Sequence, residues 1–81
     1  MKKVYVKVDY QILLGGVIRP VVIHWSDGRT WAIKKTLHIC TSGDDFEGIR
    51  YTVLIENEEK YLYRIDDKWY VESILTEVEA V

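Results

Sequence analysis

The sequence has one cysteine, one proline and one phenylalanine in 81 residues. A single thiol, Cys40, excludes an intrachain disulfide, and small secreted domains usually depend on several. No run approaches the roughly 20 apolar residues that cross a bilayer as a helix. The N-terminal MKKVYVKVDY alternates charged and apolar side chains and offers no continuous apolar core of a signal peptide. A cytoplasmic protein without membrane contact is therefore expected. Neither sign of charge prevails: 11 Lys and Arg against 13 Asp and Glu give a net charge of −2. That excludes the long-range field of a strongly basic nucleic-acid-binding domain and leaves only local clustering of cations.

Motifs that carry chemistry are equally scarce. His38 and Cys40 stand two apart on one strand, but His24, the only other imidazole, lies too far along the chain to join them. A lone His-x-Cys pair is not a zinc site, so no metal is expected. Asp44, Asp45 and Glu47 crowd one loop and Asp66-Asp67 another. Paired carboxylates do acid–base work only where a cleft raises one pKa, and wet turns use Asp for their own geometry. Cys40, Ser26, Ser42 and Ser73 lack any nucleophile elbow, and Gly15-Gly16 lacks the rest of a phosphate loop. Neither an enzyme nor a cofactor is expected.

What is abundant is core material. Hydrophobic residues make up 48% of the chain and aromatic residues 12%, with three Trp and six Tyr. That supply suits a single domain, residues 1–81, small enough that nearly every large apolar residue must be used. Apolar residues recur with period two throughout, the mark of half-buried strands. Val4, Val6, Val8 and Ile12 share one face of the first strand. A second, Val17 to Trp25, contains Pro20, which removes a ladder donor and implies an edge or a bulge.

HWSDGRTW is the clearest local signal. Ser26-Asp27-Gly28 fits a three-residue hairpin loop with Gly28 left-handed, which sets Ile23 opposite Trp31, and Trp25 and Trp31 on one face. Along the next strand, Arg29 to Cys40, Trp31, Ile33, Leu37 and Ile39 point inward. Ile49, Tyr51, Val53 and Ile55 follow after the loop at 41–48. The turn NEEK sets Ile55 against Tyr61 and Val53 against Tyr63, and Asp66-Asp67-Lys68 sets Ile65 against Trp69. Odd-numbered side chains from Trp31 to Val71 thus share one interior.

These registers predict an all-β fold: a small barrel or strongly curled antiparallel meander of five to six strands, Src-homology-3-like or OB-like in size. Closure removes exposed sheet edges. Residues 74–81, ILTEVEAV, are the only candidate helix. The outer face then gathers Lys34, His38, Arg50, Arg64 and Tyr70, cations with one aromatic ring, as the candidate partner-contact face. Such a face suits a nucleic-acid backbone or a protein partner; equally, it suits an ordinary solvated surface.

From Pro20 to Glu72 the chain resembles a family of short, uncharacterised bacterial β-domains found beside, or appended to, Y-family, translesion-type DNA polymerase proteins. The matching segments are HWSDGRTWAI, GIRYTVLI and KWYVE. They are mostly turn and core residues, so the resemblance implies the fold, and it hints at a DNA-repair association. The expected function is that of a non-catalytic binding module. The alternative is a structural domain that dimerises through an edge strand.

Overall fold

In the computed structural model, which describes residues 3–41 and 46–72, alternation becomes seven strands. They are β1 (Lys3–Ile12), β2 (Ile18–His24), β3 (Thr30–Ala32), β4 (Lys35–Cys40), β5 (Ile49–Ile55), β6 (Glu58–Ile65) and β7 (Lys68–Glu72). Every pairing is antiparallel, in the order β3-β2-β1-β7-β6-β5-β4. No helix among the described residues is long and apolar enough to cross a membrane. The candidate helix at 74–81 lies outside those residues.

Two features curl this sheet into a half-barrel. β1 serves two neighbours, with Lys3–Val6 paired to β7 and Lys7–Ile12 paired to β2. The strands at the two ends of the sheet, β3 and β4, are consecutive in the chain. What the sequence reads as one strand from Arg29 to Cys40 is broken at Ile33-Lys34, which is why the count is seven. The Ile33 amide donates to the Val21 carbonyl at 2.8 Å, and the next amide, Lys34, donates to the Leu54 carbonyl at 2.8 Å. Adjacent residues thus hold opposite ends of one sheet.

The concave side carries the core: Val8, Ile23, Trp25, Ile33, Tyr51, Val53, Ile55, Leu62 and Trp69 are all buried in one cluster. Each large side chain removed from water there contributes about 1.5–3 kcal/mol. The loop at Ser26-Asp27-Gly28 is as the sequence predicts. The Trp25 amide donates to the Arg29 carbonyl at 2.9 Å, Gly28 has φ 93°, and Ile23 pairs with Trp31. Trp25 and Trp31 meet edge to face, ring centres 4.7 Å apart. Beside Pro20, the β1–β2 register slips by one residue, leaving Val21 as the bulge.

Two expected registers are overturned. Ile55 pairs with Glu58 rather than Tyr61, and Ile65 pairs with Lys68 rather than Trp69. Both loops are two-residue turns whose first residue is left-handed, Glu56 at φ 57° and Asp66 at φ 54°. Neither contains glycine, the residue that normally announces so tight a hairpin. Each correction is odd-numbered, so each turns a strand over. On β6 the even residues face the core: Leu62 is fully buried and Tyr61 is 52% exposed. On β7 the two slips cancel, and Trp69 is inside as expected. A further register shift on β4, between Thr36 and His38, leaves Leu37 and Ile39 only partly covered where inward burial was expected.

Ile12, expected on the inner face, is 69% exposed. It belongs to an arm formed by the outer halves of β1 and β2, which extends past the core. Leu14, at the arm's tip, is fully exposed.

Candidate binding surfaces

The five residues predicted to form one contact face do not all share it. Arg64 pairs across the sheet with Ile49 and Trp69, and so lies on the core side of β6. There its guanidinium sits 5.9 Å from the Trp69 ring and donates to the Tyr51 hydroxyl at 3.3 Å and to the Asp66 carbonyl at 2.8 Å. The odd-numbered correction at the β5–β6 turn, which turns β6 over, explains this move. Tyr70 does face outward, yet it is only 2% exposed. Lys34 borders a groove between β2 and β4. Arg50 stays on the convex face as expected, and so does His38, which pairs with Thr52 on that face.

That convex face is largely covered by aromatic rings. One row of paired residues crosses five strands: Cys40, Arg50, Tyr63, Tyr70 and Tyr5. Tyr63 and Tyr70 stack with ring planes 7° apart at 4.8 Å, and Tyr5 leans on Tyr70 at 5.9 Å. Phe46 and Glu47 fold over this row from the preceding loop. Phe46 packs on Tyr63 at 5.7 Å, the Glu47 carbonyl accepts from the Tyr70 hydroxyl at 3.3 Å, and the Glu47 carboxylate pairs with Lys3 at 2.8 Å. Arg50 is wedged between Phe46 at 4.8 Å and Tyr61 at 4.5 Å. Period-two reading misses this layer because it assigns one face of each strand to water.

The layer has a consequence at high pH. The Tyr63 hydroxyl donates to a Glu72 carboxylate oxygen at 2.7 Å. Burial, then the bond to Glu72, then the negative charge of Glu72 push the Tyr63 phenol well above its usual range; burial pushes Tyr70 the same way. An unfolded tyrosine ionises near pH ~10. The stabilisation is therefore complete below that value and is lost as pH rises through the higher folded-state values. Melting temperature should fall between pH 9 and pH 11, and Tyr63→Phe should shrink that fall. An equal fall in the variant would contradict this account of the layer.

The second surface is a groove where the half-barrel fails to close. β3 accompanies β2 along Val22–His24 and the Ile33 amide takes the Val21 carbonyl, so among the described residues Ile18–Pro20 have no strand on that side. β4 pairs with β5 along one edge and, among the described residues, with nothing along the other. The two free edges diverge from the Ile33-Lys34 link and enclose about 790 Å³. Four apolar side chains at its lips, Leu13, Val17, Leu37 and Ile39, are 38–49% exposed. On its β4 wall, the Thr36 hydroxyl is buried with no hydrogen-bond partner among the described residues.

His38 and Cys40 occupy β4 opposite Thr52 and Arg50, whereas His24 is paired with Asp9 at 2.8 Å. Among the described residues, no group of three or more His, Cys, Asp or Glu side chains could hold a metal ion. Set against protein-family models, curated proteins and solved structures, the chain matches none.

Proposed function

We propose that this chain is a non-catalytic binding module that receives an extended segment of a partner protein as an added strand between β2 and β4. The observation that carries the reading is a pair of strand edges, unpaired among the described residues, on either side of an apolar-lipped groove. Unpaired edges present rows of backbone donors and acceptors and pair readily with another chain. In strand addition, backbone hydrogen bonds supply affinity, and alternate side chains supply specificity. β4 offers six residues, about 20 Å of edge. The groove has walls on both sides, which favours one strand over the whole sheet edge of a second copy.

Extended peptides titrated into labelled protein should shift the amides of Lys35–Cys40, Ile18 and Arg19. Leu37→Glu should weaken binding about tenfold, since it replaces an apolar contact by a charge. Shifts confined to other strands would overturn the reading, and a doubled mass without peptide would favour edge-to-edge dimerisation.

A second reading is favoured by the pairing of Arg50 with the half-exposed ring of Tyr61 on the convex face. A cation beside an exposed aromatic ring is what single-stranded nucleic acid stacks upon. With the polymerase-associated resemblance, this reading supplies a DNA-repair context. It requires binding that weakens steeply with salt and falls with Tyr61→Ala.

A further inference from the structure

We infer that the partner segment the groove accepts is acidic as well as apolar, a strand in which carboxylates alternate with aliphatic side chains. The inference rests on the strand-addition reading and adds the chemistry of the ligand. Three cations, Arg19, Lys34 and Lys35, line the groove, and among the described residues no aspartate or glutamate does. This sorting is local, because carboxylates outnumber cations over the whole chain. Arg19 is held by Gln11, a neutral acceptor, and has no carboxylate partner among the described residues. Lys34 and Lys35 are exposed and have no carboxylate partner among the described residues.

The cations sit on both walls, Arg19 on β2 and Lys34-Lys35 at the start of β4. A strand lying between them presents one face to the apolar side chains and the other outward, toward water and the long cationic side chains. Period-two alternation of aliphatic and acidic residues satisfies both faces at once. A neutral strand would leave three like charges crowded about it, and a basic strand would add to their repulsion.

The test uses the full chain and three capped octapeptides in which valine alternates with glutamate, glutamine or lysine. The glutamate peptide should bind about tenfold more tightly than the glutamine peptide, as several modest ion pairs compound. The lysine peptide should bind least. Raising salt should weaken the glutamate peptide and leave the glutamine peptide unchanged. Lys34→Glu with Lys35→Glu should reverse the order of the glutamate and lysine peptides. Should that double variant fail to fold, the salt dependence of the unaltered protein decides alone. Equal binding of all three peptides at the β4 edge would overturn the acidic preference while leaving strand addition intact. Binding of none would overturn both. Self-association of the unaltered chain that the double variant abolishes would make a second copy the occupant and overturn the inference of a foreign segment.

Discussion

Gly48→Ala is expected to leave the domain largely unfolded at room temperature. Gly48 has φ 83°, and a Cβ there would run into the backbone carbonyl oxygen of Arg64 and approach the Ile65 side chain to 2.8 Å. The left-handed conformation alone costs an alanine roughly 1–2 kcal/mol. The collision is with backbone, which cannot swing aside as a flexible side chain can. Gly48 leads into β5 just before Ile49 pairs with Arg64, so relief of the clash would unzip the first rung of the β5–β6 ladder. Gly28→Ala is the control. Its φ is 93°, but a Cβ there meets nothing within 4 Å. A urea melt should show Gly28→Ala losing about 1–2 kcal/mol and Gly48→Ala losing clearly more. Equal losses would mean that Gly48 does not approach β6 as described.

The second large effect separates neighbours on β6. Leu62→Ala should cost about 2–5 kcal/mol, as expected for a large buried side chain removed from a packed core. Tyr61→Ala, at a half-exposed position on the opposite face, should cost about 1 kcal/mol or less. A small domain has about 5–15 kcal/mol of stability in all, so the first substitution removes a large share. The contrast tests the β5–β6 register. Were Ile55 opposite Tyr61, as the turn NEEK suggests, the order of the two losses would be reversed.

Much of the fold was legible from alternation. Tyr51, Val53 and Ile55 are buried as read, and the Trp25–Trp31 hairpin has the predicted loop because Gly28 supplies the left-handed residue openly. Legibility fails where a non-glycine residue takes that role. Glu56 and Asp66 are left-handed without a glycine to mark them, and the two-residue turn at Glu56 moved Leu62 to the core and Arg64 with it.

The contact face read from alternation loses Arg64 for this reason and has Tyr70 covered for another. Tyr70 was placed on the correct side, but period two cannot foresee that Phe46 and Glu47 fold back over it. The groove was invisible because it arises from two strand edges, on β2 and β4, that fail to meet, which alternation along a single strand does not show. Its cations, Lys34 and Lys35, look like an ordinary solvated pair in the chain.

Strand addition beside β4 is best tested by intermolecular nuclear Overhauser effects between an unlabelled glutamate–valine peptide and the labelled protein. Backbone contacts from the peptide should run in register along Lys35–Cys40, with side-chain contacts to Val17 and Ile39. If peptide contacts instead gather around Arg50 and Tyr61, or if the β4 amides exchange as fast with peptide as without it, the groove is not where this protein meets its partner.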